Sequence, residues 1–536
     1  MNEGVASEKA FNLLHEDWII VKRNDGSTEE VSLLDAFRRA HEFRGLAGEL
    51  PTQDVAILRL MLAVLYAVFT RMDEQGNPSL LKREDDAFNR WKALWDCDTI
   101  PYDIIEEYLL HYEDRFWLFH PTTPFYQVAG LYTGTGKINP VSQIISDIPS
   151  RVERRFFSNR SGVPAEEMQF SEAARWLVNM QSWDYAGKKA SVVGGTPNGG
   201  GTGWLGKLGV VYFRNESLVQ TLLCNLVLLD SSGGLLDFGT PAWESEVAIA
   251  CKLDKDPRSY VELLTWQSRR VLLFCEDQKV IGVLSSYGDV FDKANTFIEQ
   301  MSGWRESKAV KAFIPVLHES GKSAWRDLGS LLPHRESANR ISGSVSWIAR
   351  LRLEGILDIP LVNFDVVGTE YGSMQSSISE IAADGITLNA EILTLLGQQW
   401  ISDIVAVIGK ADRLVWQLGI LERDLLTAAG NDDEESKKGS SATVREEMFF
   451  SLDIPFREWL VSINPAQDNQ VDVMNNWLDF TEEQLRKRAN FLVQETGDRA
   501  FVGRTIKDSK TDAIRIMSAP KAHDKFLREI RKIREE

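Results

Sequence analysis

Between Asp54 and Met72 nearly every position is apolar, a pattern that predicts a helix buried on most of its sides. Before it, a strand-like run ending at Val21 leads through Asn24-Asp25-Gly26 into Glu30-Val31, which predicts a hairpin. Asp85–Trp95, Tyr102–Tyr112 and Phe170–Gln181 have helical spacing, with Pro121 and Pro124 breaking the pattern between the last two. Val128–Ser171 lacks long periodic stretches and reads as a long mobile loop region. Ser217–Leu229 predicts another buried helix, and Leu264–Arg270 is a strand-like mix of apolar and basic residues. Val310–Val316, Trp325–Leu332 and Leu357–Val367 continue an α/β alternation with short strands. From Asn389 the spacing turns helical, in blocks at Ala390–Ala429, Val444–Ile463, Met474–Gln494 and Asp512–Ile533. The polar run Asn431–Ser441 between the first two predicts a disordered linker. The expected fold is α+β: a large mixed α/β N-terminal domain over residues 1–380, then a C-terminal four-helix bundle over 385–536.

At 536 residues the chain exceeds what one core supports. Its net charge of -18 argues against a general nucleic-acid coat or a membrane-surface protein, since most of its area would repel phosphate. The acid is unevenly spread. Arg151–Arg214 carries nine Lys/Arg against five Asp/Glu, and Gln484–Glu536 fourteen against eight, so two basic segments could face phosphates. The second falls largely on the last helices, where a solvated helix face and a phosphate-tracking face are both open readings. Cys97, Cys224, Cys251 and Cys275 are scattered, without metal-ligand spacing, as expected of a reducing cytoplasmic protein with no structural metal. The N-terminus has no apolar leader, and the most apolar window, Leu60–Phe69, is about half of a membrane span, so no membrane association is expected.

Chemistry concentrates in Lys188–Gly209, which holds eight glycines between Gly194 and Gly209 and cannot continue a helix or a buried strand. A flexible surface connection is the plain reading; a backbone lying flat against a phosphate or a base edge is the functional one. Within it, Gly201–Lys207 fits the glycine and lysine spacing of a P-loop, which would make the chain a nucleotide-binding hydrolase using Lys207. Leu208 stands where that loop needs a hydroxyl for Mg²⁺, and Trp204 is bulky where backbone must wrap phosphate. The seven histidines show no ligand pairing, and the Asp85-Asp86 and Asp432-Asp433 carboxylates fall in exposed contexts. No catalytic site assembles, and no cofactor or metal is expected.

The ordered features, from Asn12-Leu13-Leu14 with Trp18-Ile19 and Pro51–Leu60, through His120-Pro121, Phe125-Tyr126-Gln127 and the glycine loop, to Leu264–Arg270, Trp325–Leu328 and the helical bundle, together resemble the large subunit (CasA type) of the type I-E CRISPR Cascade complex. The resemblance spans most of the chain. It implies a non-catalytic antiviral subunit that meets the guide-RNA 5′ handle and the other Cascade subunits. Such a subunit recognises the protospacer-adjacent motif in double-stranded target DNA, promotes strand separation and docks the helicase-nuclease.

By this resemblance, the glycine loop that approaches the motif's minor groove corresponds to Asn198, Gly199, Gly200 and Gly201. The family's glutamine-tipped wedge corresponds to a hairpin of Leu361–Val367 and Ile378–Ile386 around the turn-rich Gly368–Ser377, with Met374, Gln375 and Ser376 at its tip. Met374 departs from a polar residue there and could itself act as an apolar wedge. A motif-contacting lysine corresponds to Lys308 or Lys311. Phe157 and Asn159, with Arg154, Arg155 and Arg160 nearby, match a loop that engages the RNA handle.

Overall fold

The structure, a computed structural model, describes residues 8–97, 99–146, 166–197, 200–253, 255–333, 339–507 and 514–536. It divides into two compact units, Met1–Ala324 with Ser337–Ile386, and Trp325–Glu336 with Thr387–Glu536. The second unit therefore takes in a segment well upstream of the boundary expected near residue 385.

The first unit is built on the helix Pro51–Phe69, whose side chains are almost all buried. It is long and apolar enough to cross a membrane, yet 94% of its apolar window is covered by the rest of the chain, so its apolarity serves the core. Tyr66 donates from its hydroxyl to the Val227 carbonyl at 2.8 Å, and Trp183 from its indole to the Thr52 carbonyl at 2.9 Å. Arg59 is also buried here, which requires a buried anion to meet it, and Glu299 does so.

Helices Phe170–Trp183, Tyr260–Leu264 and Tyr102–His111 pack against this helix, and small antiparallel sheets complete the unit. Ile19–Arg23 pairs with Thr28–Val31 across the expected Asn24–Gly26 turn and with Phe43–Leu46 on its other edge. Arg269–Glu276 and Lys279–Tyr287 form a long hairpin whose two connecting residues, Asp277 and Gln278, both have positive φ, the twist that a tight hairpin turn needs. A third sheet runs in the order Ile378–Asn389, Leu361–Tyr371, Val210–Arg214, with Val367 opposite Val210 and Asn363 opposite Arg214. Gly368 lies inside the Leu361–Tyr371 strand, so the expected turn narrows to residues 372–377. A Cβ on Gly368 would stand 3.3 Å from the His318 carbonyl, so this glycine admits a close backbone neighbour rather than bending the chain. Two other expectations are corrected in this unit. Ser217–Leu229 is helical only over Leu218–Cys224, and Leu264–Arg270 divides between the end of the helix Tyr260–Leu264 and the start of the Arg269 strand.

In the second unit the long helices are Gln398–Ala429, Glu434–Ser462, Gln470–Glu495 and Ala519–Glu535. The last buries Ala519, Ala522, Phe526, Ile530 and Ile533, an i, i+3, i+4 stripe that explains its helical register. The expected linker is largely ordered: helix resumes at Glu434, capped by Asp433, because Glu434 pairs with Lys437 and Arg423 and Ser441 donates to the Gly419 carbonyl. Its charges are partnered at the surface. Trp325–Leu331 is helical, with the Trp325 indole stacked on Phe456 at 4.3 Å and donating to Asp453 at 2.9 Å. A hairpin of Arg504–Lys507 and Ile514–Met517 precedes the last helix, so the block expected to be helical from Asp512 holds a strand first and turns helical only at Ala519.

Candidate nucleic-acid interface

The glycine segment is anchored on both sides of positions 198–199. On its entering side Val192 sits in an apolar cluster with Leu272, Phe274 and Leu284, the Ala190 amide donates to the Ser285 carbonyl at 2.9 Å, and Thr196 accepts from the Lys252 amide. On its leaving side the Gly203 amide donates to the Asp184 carbonyl at 2.8 Å and the Gly209 amide to the Val316 carbonyl at 2.9 Å. The Trp204 indole reaches Glu299 at 2.9 Å. The flexible-connection reading does not describe these arms. Asn198 and Gly199 lie outside the described residues, as do Phe157 and Asn159 with Arg154, Arg155 and Arg160.

Gly200 and Gly201 differ in what they tolerate. Gly201 has φ +115°, where a side chain is strained, and its carbonyl accepts from the Arg269 guanidinium at 2.9 Å. Gly200 is exposed, lacks that constraint, and a Cβ there would make ordinary contact with the Tyr287 ring at 3.4 Å. Gly203 is the tight position: a Cβ would drive into the Ser182 carbonyl group.

Met374, Gln375 and Ser376 occupy the turn of the Leu361–Asn389 hairpin. Met374 is 91% exposed. Met374 and Gln375 have φ of 52° and 56°, two consecutive non-glycine residues in the left-handed region, which costs about 1 kcal/mol or more each. The turn holds itself there: the Gly372 amide donates to the Ser377 carbonyl at 3.0 Å, the Gln375 amide to the Gly372 carbonyl at 2.9 Å, and the Ser376 hydroxyl to the Ser373 carbonyl at 2.8 Å. The Gln375 carbonyl accepts from the Ala186 amide at 2.8 Å, which ties the turn to the chain just before the glycine segment.

Lys308 and Lys311 are both exposed on the turn of a second hairpin, Trp304–Ser307 with Ala312–Pro315. Lys311 has φ 56° and its amide donates to the Ser307 carbonyl at 2.7 Å. The chain leaving this hairpin passes Gly209 at Val316 and Gly368 at His318, and then bonds Glu370 through the Ser320 amide at 2.7 Å. Glycine segment, glutamine turn and lysine hairpin are thus fastened to one another, through backbone bonds at Gly209 and Gln375 and through the Glu370 carboxylate.

Beneath them lies a buried charge cluster that sequence reasoning did not single out. Arg269 is fully enclosed and donates to the Asp184 carboxylate, to the Tyr185 carbonyl at 3.0 Å and to Gly201. Lys189 meets the same carboxylate at 2.6 Å. Burial alone would raise the Asp184 carboxyl, but the Lys189 and Arg269 cations beside it hold it below the ordinary range. Burial lowers the Lys189 ammonium to about 8, against the pull of Asp184. The signal in the sequence was Arg269-Arg270 within an apolar strand, since two buried cations require buried anions; Asp289 serves Arg270 as Asp184 serves Arg269.

Lys207, the residue of the P-loop reading, lies in a tight turn at Leu205–Lys207 and donates to the Phe291 carbonyl at 3.2 Å. Burial, with Arg269 and Lys293 nearby, lowers it to about 8. The C-terminal basic track is largely matched by acid: Lys525 meets Asp424 at 2.8 Å, Lys532 meets Glu529 at 2.9 Å, Lys487 meets Glu483 at 2.8 Å, and Arg486 meets Glu482 at 2.6 Å. Among the described residues no group of three metal-ligating side chains gathers.

The family described as CRISPR-associated protein Cse1 matches residues 12–487. The crystal structure of Thermobifida fusca Cse1 is similar to this chain, with 31% identity, 98% of each chain covered and a TM-score of 0.84. CasA/Cse1 of Thermus thermophilus is 26% identical over 339 residues, and the match spans 62% of this chain and 62% of that relative, under two thirds of its length. A chain of a solved CRISPR RNA-guided surveillance complex shares the fold, at 16% identity, with a TM-score of 0.66 over 90% of this chain and all of that one.

Proposed function

This chain belongs to the CRISPR-associated Cse1 family, and on that premise we propose that it is the large, non-catalytic subunit of a type I-E RNA-guided surveillance complex. In that role it recognises the protospacer-adjacent motif in duplex DNA, starts strand separation and docks the helicase-nuclease. The observation that carries this reading is the hydrogen bond from the Ala186 amide to the Gln375 carbonyl, which sets an exposed, self-braced turn beside the glycine segment.

Each part suits one task. Glycines let backbone approach a minor-groove edge, whose pattern separates A·T from G·C but little else, consistent with tolerance of several motifs. A turn already held in a strained conformation enters a base step without further ordering cost, while unstacking itself costs about a few kcal/mol. Met374 offers an apolar face for that step and Gln375 a hydrogen-bonding one. Lys308 or Lys311 supplies phosphate contact, and Phe157 and Asn159 meet the guide-RNA handle. A body of net charge -18 restricts DNA to this path, the RNA and the other subunits supplying the rest of the guidance. The same reading puts its work in the cytoplasm. A nucleotide hydrolase is disfavoured by Lys207, whose ammonium is engaged by the Phe291 carbonyl, and by Leu208, which has no hydroxyl.

The test is motif-dependent duplex binding by a guide-loaded complex reconstituted with this subunit, comparing wild type with Gly200→Asp. The fold accommodates a Cβ at Gly200 in ordinary contact with Tyr287, so a carboxylate there repels DNA without displacing the protein. Loss of motif preference with an unchanged thermal midpoint is expected. Retained preference would remove the glycine segment as the reader.

A further inference from the structure

The five residues Trp183–Gly187 are bonded on two sides. Toward the glutamine hairpin, the Trp183 carbonyl accepts from the Tyr371 hydroxyl at 2.7 Å and the Ala186 amide donates to the Gln375 carbonyl at 2.8 Å. Gly187 lies between the Tyr185 ring and the same turn: a Cβ would stand 2.5 Å from that ring and 3.1 Å from the Ser376 carbonyl oxygen. Toward the glycine segment, the Asp184 carbonyl accepts from the Gly203 amide, and Arg269 joins the Tyr185 carbonyl to the Gly201 carbonyl through one planar guanidinium. The guanidinium is itself fixed by the Asp184 carboxylate, and the Arg269 backbone by Gln181, whose side-chain oxygen accepts from the Arg269 amide at 2.9 Å.

A hydrogen-bonded cation that is wholly buried has few alternative geometries, because each donor it releases goes unsatisfied. Burial also keeps the Tyr371 phenol protonated and therefore a donor. Neither Asp184 nor Arg269 reaches solvent: their side chains are 3% and 0% exposed. They therefore act on the surface above them only through the backbone they hold.

We infer that Trp183–Gly187 is a positioning strut that sets the glutamine turn at a fixed place relative to the glycine segment, locked by Asp184 and Arg269 and joined to the hairpin through Tyr371. The inference rests on the reading of the Gln375 turn as the strand-separating wedge. A motif held by the glycine segment then presents its neighbouring base step to Gln375 without a search. Binding and opening become successive contacts of one rigid surface rather than of two independent loops. Tyr371 is in this sense a positioning residue whose effect passes through Gln375.

The experiment follows strand opening in the guide-loaded complex, with 2-aminopurine beside the motif and duplex at saturation, alongside motif-dependent affinity and thermal midpoint. Tyr371→Phe removes one hydroxyl and keeps the ring. It is expected to slow opening about fivefold, the worth of one hydrogen bond, with affinity changed less than about twofold. Gly187→Ala, whose methyl group meets the Tyr185 ring of the strut at 2.5 Å as well as the Ser376 carbonyl oxygen at 3.1 Å, is expected to slow opening by at least as much. In a Gln375→Ala background neither substitution should slow opening further, which a general loss of structure would not reproduce. Opening at the wild-type rate in Tyr371→Phe and Gly187→Ala, with Gln375→Ala slow, would overturn the strut and leave the wedge standing. So would equal slowing by Tyr371→Phe with and without Gln375. Unimpaired opening by Gln375→Ala alone would remove the wedge reading, and the strut with it.

Discussion

Replacing Glu299 by glutamine should be among the most damaging single changes to the first unit. The Glu299 side chain is fully enclosed and its carboxylate accepts four hydrogen bonds: two from the Arg59 guanidinium at 2.8 and 2.9 Å, one from the Trp204 indole at 2.9 Å and one from the Met301 amide at 2.9 Å. Glutamine keeps one acceptor oxygen and turns an NH₂ group toward groups that are themselves donors. At least one donor is left facing a donor, and the Arg59 cation, whose side chain is 2% exposed, loses its counter-charge. Breaking a buried pair from one side costs about 3–5 kcal/mol, most of it the penalty of the charge left behind. Urea unfolding of the purified chain, read by tryptophan fluorescence, measures this directly. Arg59→Met should cost a similar amount, and the double variant should cost well under the sum, because each change removes the same interaction. A Glu299→Gln protein within about 1 kcal/mol of wild type, or strict additivity in the double variant, would refute the reasoning. Because Trp204 belongs to the glycine segment, the loss should also blunt motif discrimination at temperatures where the protein remains folded.

Three further expectations can be checked separately. Burial raises the Asp54 carboxyl to about 7, although it accepts from the Gly48 amide at 2.7 Å. Its folded value exceeds its unfolded one, so the folded state binds the extra proton and stability should fall as pH rises from about 4 through 7, levelling above; Asp54→Asn should flatten that slope and gain roughly 2–4 kcal/mol at pH 8, measured by denaturation across pH. Gly203→Ala, pressing on the Ser182 carbonyl, should lower the thermal midpoint clearly, whereas Gly200→Ala should leave it within about a degree; equal midpoints would mean that the segment is looser than its bonds indicate. Of Lys308→Ala and Lys311→Ala, the one that removes a phosphate contact should lower the slope of log affinity against log salt by about 0.9, and if neither changes it the lysine hairpin does not touch DNA.

Much of the architecture was legible where one local rule decided the outcome. The helix Pro51–Phe69 announced itself by near-continuous apolarity, the Asn24–Gly26 hairpin by its turn residues, and the last helix by its buried stripe. The glutamine hairpin was legible as a hairpin but not in extent, because Gly368 reads as a turn former until its close backbone neighbour at His318 is known. The linker at Asn431–Ser441 misled because its charges read as unpartnered, whereas Glu434 and Asp432 are paired at the surface, with Arg423, Lys437 and Arg504. The framework under the candidate site was the least visible part. Arg269 and Asp184 stand 85 residues apart, and no local pattern links them; the Tyr371 bond to Trp183 spans 188. Long-range pairing of buried polar groups follows from the fold, and only its demand, a charged residue in an apolar strand, is written locally.

The most direct test of the central claim compares guide-loaded complexes assembled with and without this subunit on duplexes that do or do not carry the flanking motif, at one fixed salt concentration. The account predicts a preference of tenfold or more for the motif-bearing duplex when the subunit is present, and none when it is omitted. A preference that persists in the complex lacking this chain would contradict it, and would assign motif reading to another component.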